Sequence, residues 1–166
     1  MKPTTQPATD EPRILAIPTA PVSSARRLLE SVVAAALSEC RDRGLPDCRV
    51  TLDVGDGHTI AADSRAVGAL LLPLVVAAME RSVGQQSRRP PLRPEVLITT
   101  IDIAGALEIE IADWADNGPA ASPPADQDIV RLLDRTEGSL RFEGCPDGGT
   151  ACTLRFPHSR TRRKVA

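Results

Sequence analysis

The sequence predicts an α+β two-layer sandwich, with three helices on one face of a mixed, mostly antiparallel sheet. Two long segments carry apolar residues at three-and-four spacing, and around them run short alternating segments separated by Gly, Pro and Asp turns. A length of 166 residues fits one domain around one core. Apolar residues at 42% and charged residues at 25% are globular proportions, and 20 basic against 22 acidic side chains exclude a polycationic nucleic-acid clamp. With two Phe, one Trp and no Tyr, the chain lacks the rings for stacking single-stranded bases or for building an aromatic cage. The longest uncharged stretch, Ala66 to Met79, is too short to cross a bilayer, and the N-terminal Met-Lys-Pro-Thr-Thr-Gln lacks a signal peptide's apolar segment. A cytoplasmic protein, bound to neither nucleic acid nor membrane, is expected.

Residues 1–12, with Pro3, Pro7 and Pro12, carry too little apolar mass to pack and read as a disordered tail, so the domain is placed at 13–157. Ile14 to Ile17, bounded by Pro12 and Pro18, reads as a brief edge strand. Ser23 or Ser24 can cap a helix reaching Arg43, because Ala25, Leu28, Leu29, Val32, Val33, Ala36 and Leu37 share one face, and Gly44 follows as its closing glycine. Arg49 to Val54 alternates, Gly55-Asp56-Gly57 turns and His58 to Ala61 returns, which predicts a hairpin. The second helix starts at Asp63 or Ser64 and is apolar on nearly all sides, so it should be the most buried; Pro73 inside it removes one hydrogen bond and should kink it.

Gln85 to Pro94 is polar, basic and proline-rich, hence a loop. Glu95 to Ile103 and Leu107 to Ala112 read as paired strands, the second alternating Leu107, Ile109 and Ile111 against Glu108 and Glu110, as a sheet with one wet face requires. A loop from Asn117 to Ala125 leads to a short helix, Gln127 to Arg135, with Ile129, Val130, Leu132 and Leu133 inward. Leu140 to Glu143 and Cys152 to Phe156 close the domain as a hairpin, and residues 158–166 form a basic tail. Cys40, Cys48, Cys145 and Cys152 fit neither zinc nor thioredoxin-type spacing and read as buried free thiols.

Two runs carry a family resemblance. Ile60 to Val67 followed by Leu71 to Ser82 is similar to the hairpin and N-box helix of the ATP-binding catalytic domain of sensor histidine kinases, the Bergerat-fold (GHKL) type. Gly138-Ser139-Leu140-Arg141-Phe142-Glu143-Gly144-Cys145-Pro146-Asp147-Gly148-Gly149-Thr150, ending in Leu154-Arg155-Phe156-Pro157, resembles that family's terminal hairpin, Gly-Gly-x-Leu-x-x-x-Ser-x-Pro-x-Gly-Gly-Thr. The resemblance spans about Leu15 to Pro157 with the elements in order, and it implies the Bergerat fold. Pro73 is accommodated, because some branches of the family carry Pro-Leu-Val at this helix position.

The resemblance also implies a nucleotide site, and the residues depart from its pattern. In the family the second Asn of the N box holds Mg²⁺; the matching residue is Ala77, whose methyl group offers no oxygen to a hard cation. Pro73, Ala77 and Glu80 are thus degenerate N-box positions, and Glu80 is the one nearby carboxylate. The family's Asp-x-Gly-x-Gly box, whose Asp accepts from the adenine amino group, is resembled by Asp116-Asn117-Gly118-Pro119-Ala120; a rival register uses Asp113, with Trp114 and Ala115 after it. Gly149 and Thr150 complete the implied set. At the second glycine box stand Ala125-Asp126-Gln127-Asp128, two carboxylates and no glycine, which repel a triphosphate. No metal site and no cofactor are expected. The resemblance therefore implies a non-catalytic regulatory or protein-binding module in two-component-type signalling, meeting a response regulator, a kinase dimerisation domain or a sigma factor. The alternative is a divergent, working kinase domain of the histidine-kinase or anti-sigma-factor serine-kinase type, using ATP and Mg²⁺ and relying on Asp116, Gly118 and Thr150.

Overall fold

The computed structural model describes residues 23–84, 95–115, 127–145 and 148–158. The expected strand at Ile14 to Ile17, the basic loop, the loop around Asn117 to Ala125 and most of the basic tail lie outside them. The chain runs β1 (Ser23–Ser24), α1 (Ala25–Asp42), β2 (Arg49–Asp53), β3 (Thr59–Ile60), α2 (Ser64–Gly84), β4 (Glu95–Ile103), β5 (Ala106–Asp113), α3 (Gln127–Thr136), β6 (Ser139–Gly144) and β7 (Thr150–Pro157). Five strands form one mixed sheet in the order β2-β4-β5-β7-β6, antiparallel except for the β2–β4 pair, and β1 and β3 form a separate two-stranded ladder. The three helices pack on the sheet face that presents Ile98, Ile109, Ile111, Cys152 and Leu154, as the alternation in β5 requires.

The helix ends follow from their sequence. Ser24 caps α1, its hydroxyl accepting the Arg27 N–H. At the other end Gly44 takes φ +71°, its N–H reaching the Arg41 carbonyl while Leu45 N–H reaches that of Cys40, the double bond of a Schellman close. Asp63 caps α2 by accepting the Arg65 N–H at 3.0 Å, and its other oxygen meets Arg135 of α3 at 3.2 Å. α3 closes in the same way as α1, with Gly138 N–H to Leu133 and Glu137 N–H to Asp134, but the left-handed residue is Glu137, φ 52°.

α2 is the centre of the core. Ala66, Val67, Leu70, Leu71, Leu74, Val75, Val76, Ala78, Met79 and Ser82 are all buried. By length and composition the helix could cross a membrane; here it lies between α1, α3 and the strands β4 and β5. Pro73 sits within it without ending it. Ala69 and Pro73 are both exposed, so the Ala69 carbonyl, which Pro73 cannot serve, lies on the solvent side of the helix.

The hairpin expected from Arg49 to Ala61 does not form. β2 pairs parallel with β4, Val50 beside Val96 and Leu52 beside Ile98, and β3 pairs with β1 instead, Ile60 beside Ser23. The Gly55-Asp56-Gly57 turn is present, but neighbouring groups compete for its far arm. His58 Nδ1 lies 2.8 Å from the buried Thr100 hydroxyl, which also accepts the Gly55 N–H, and the His58 carbonyl takes the first N–H of α1 from Ala25. These long-range partners outweigh the local turn signal, because the parallel pairing also places β2 beside the apolar strand β4.

Cys40, Cys48 and Cys152 are buried thiols, while Cys145 is partly exposed. Burial pushes the Cys48 thiol up to about 11. It raises Cys152 to about 12 against the opposing pull of Arg81.

Replacing Glu137 by Gly removes the penalty of a left-handed side-chain residue, and urea unfolding should show a gain of about 0.5–1 kcal/mol. The unfolded chain loses thiol protons near the ordinary value of 9.0, before the folded chain does, so stability should be flat below that pH and fall as pH rises from about 9 towards 11 and 12. Urea midpoints at stepped pH check this, and Cys48→Ala with Cys152→Ala should flatten the alkaline decline.

Candidate functional site

The last residue of β5, Asp113, faces the first residue of β7, Thr150, in the ladder, and both are buried. Gly149 precedes Thr150 with φ +97°, and a Cβ built there would fall 1.9 Å from the Asp113 carbonyl oxygen. Only a glycine lets the closing hairpin lie this near the end of β5. The turn is held by the Cys145 N–H on the Gly149 carbonyl and the Gly148 N–H on the Cys145 carbonyl.

The Asp113 side chain is 0% exposed. Its Oδ1 accepts the Ala115 N–H at 3.1 Å. Its Oδ2 accepts both Nε and Nη2 of Arg81, at 2.8 and 2.7 Å. Arg81 is on the last turns of α2, on the stripe Pro73, Ala77, Arg81 that recurs every four residues along the open side of that helix. The stripe's last member, Arg81, reaches the end of β5. A charge-assisted, doubly bonded pair of this kind is strong, and removing one partner costs about 3–5 kcal/mol by stranding the other charge in the interior.

Of the residues singled out in the sequence, Asp113, Gly149 and Thr150 meet at one place. Pro73 and Ala77 lie two turns and one turn back from Arg81 on the same helix stripe. Glu80 points elsewhere: its carboxylate binds Arg43 at 2.5 Å, in a cluster with Glu39 that ties the end of α1 to the end of α2. Asp116 and Gly118 lie outside the described residues. Trp114, 54% exposed, follows Asp113 at the rim. Arg81 was missed; its signal is a lone cation one turn beyond Ala77, where an otherwise apolar helix regains charge. His58 is half-buried against Thr100, and His158 pairs with Asp102 at 3.0 Å.

No protein-family model matches the chain, and no curated protein matches it in sequence. Its fold is that of histidine-kinase catalytic domains. It superposes on the nucleotide-free catalytic domain of the histidine kinase ThkA with TM-score 0.62 at 15% identity, covering 82% of this chain and 94% of that one. Histidine kinase AdeS of Acinetobacter baumannii matches with TM-score 0.58 at 11% identity, over 84% of this chain and 68% of that. A third match, TM-score 0.60 at 15% identity over 86% of this chain and 43% of that, is ThkA solved in complex with the response regulator TrrA.

The close approach at Gly149 sets a strong expectation. Gly149→Ala should lose at least about 3 kcal/mol of stability, because the backbone is left-handed and the new methyl meets a carbonyl. Gly44→Ala, left-handed with open space around it, should lose only about 1 kcal/mol. Urea unfolding of the two variants compares them directly.

Proposed function

We propose that this chain is a non-catalytic regulatory module of two-component-type signalling in the cytoplasm, one that keeps the histidine-kinase catalytic fold for protein contact and does not bind Mg-ATP. The observation that carries this reading is the buried pair of Arg81 with Asp113. A nucleotide base needs an accessible acceptor at the end of β5, and there the Asp113 carboxylate is fully buried, with Oδ2 held by two Arg81 donors and Oδ1 by the Ala115 N–H. The rest of the set does not fit a metal-bound triphosphate either. Ala77 offers no ligand oxygen, and Glu80 is committed to Arg43 on the side of α1. No catalytic residue is assigned.

A signalling partner is supported by the ThkA structure, which was solved with its response regulator, and a receiver domain is the partner we favour over a kinase dimerisation domain or a sigma factor. The competing reading, a divergent working kinase of the histidine or anti-sigma-factor type, draws on the juxtaposition of Asp113, Gly149 and Thr150, and it requires Arg81 to leave its carboxylate.

Calorimetric titration separates the two readings. With Mg-ATP up to millimolar concentration the full chain should give no saturable heat and no shift in melting temperature. A micromolar dissociation constant would overturn the proposal in favour of the kinase.

A further inference from the structure

We infer that β6 is an open sheet edge that pairs with β6 of a second copy of this chain, antiparallel and centred on Phe142, so that the two sheets become one. β6 is the last strand of its sheet, and among the described residues it pairs with β7 alone. The bond from the Cys145 N–H to the Gly149 carbonyl continues that ladder by one step and shows which backbone groups are already used. Bonded pairs alternate along an antiparallel ladder, so Ser139, Arg141 and Glu143 direct their N–H and C=O groups to β7. Those of Leu140, Phe142 and Gly144 face away, with no partner among the described residues. An edge protected from pairing carries Pro, Lys or a bulge. β6, Ser-Leu-Arg-Phe-Glu-Gly in unbroken register with β7, has none of these.

The side chains select the partner. Arg141 and Glu143, 69% and 52% exposed, stand on the solvent face of β6 and bind each other at 3.0 Å. Leu140 and Phe142, on the core side, are only half-covered. In a two-fold antiparallel pairing centred on Phe142, Arg141 lies opposite Glu143 of the second copy and Glu143 opposite its Arg141. Both crossings fall between bonded pairs, where side chains come closest and opposite charges attract. Moving the axis to Arg141 or to Glu143 sets like charges against each other, and a half-step slip sets a core-side row against a wet one. The strand is thus complementary to itself in one register, as an isologous interface requires. That register also lets the free backbone groups of Leu140, Phe142 and Gly144 bond across the axis, and it brings the two half-exposed Phe142 rings together. One six-residue strand makes a small interface, so the dimer is weak.

Sedimentation velocity of the full chain over a concentration series tests the pairing, with melting temperature as the control for folding. The native protein should dimerise with a dissociation constant of about 10–100 µM. Arg141→Glu and Glu143→Arg each place like charges at both crossings, and each alone should raise that constant at least about tenfold. An equimolar mixture of the two single variants restores opposite charges at every crossing, as does the double variant. Both should return to within about threefold of the native constant. A native chain that stays monomeric at about 500 µM leaves the edge to a different strand and overturns the inference. A dimer indifferent to the single variants pairs by another surface and overturns it too, as does a mixture that stays monomeric. None of these residues belongs to the Asp113 site, so every outcome leaves the functional reading above untouched.

Discussion

The domain exists to keep water away from one helix. α2 has apolar side chains on nearly every side, so no single partner surface can cover it. α1 covers one side, α3 covers another, and the apolar rows of β4 and β5 form the floor. Each buried Leu or Val on such a helix contributes about 1.5–3 kcal/mol, and the buried side chains of α2 are the largest single block of that contribution. The core that results is aliphatic, with Phe156 its one fully buried ring. Polar links then fix the register of the layers around it. Asp63 to Arg135 joins α2 to α3 at one end, and Arg43 to Glu80 joins α1 to α2 at the other.

The pair of Arg81 with Asp113 belongs to this set geometrically but differs in kind. The other two links are exposed at the surface, where ion pairs contribute little. Arg81 enters the interior, and it joins the helix to the sheet end from which the chain runs on into Trp114 and Ala115.

How much of this was legible beforehand depends on the range over which each signal acts. Helices announce themselves through spacing and caps, and Ser24, Asp63 and Gly44 stand where their chemistry places them. The antiparallel run β4 to β5 and the closing hairpin were readable from alternation and turns. The Arg49 to Ala61 hairpin was misread because its outcome is decided by β4 and Thr100, more than forty residues on, which no local pattern reports. The site was half legible. Gly149, Thr150 and Asp113 could be named from motif resemblance, but the preferred register put the carboxylate at Asp116, which is outside the described residues, while the ladder puts Asp113 opposite Thr150. Arg81 was invisible as a site residue because a cation near a helix end usually has a simpler explanation, the favourable end of the helix dipole.

Trp114 has a consequence of its own. The chain contains no tyrosine and this one tryptophan, so practically all of its near-ultraviolet absorption and intrinsic emission come from a single ring beside Asp113. Light at those wavelengths sees the mouth of the site and almost nothing of the core. The molecule carries its own optical probe beside Asp113, and measurements of bulk unfolding by fluorescence will report local events there first.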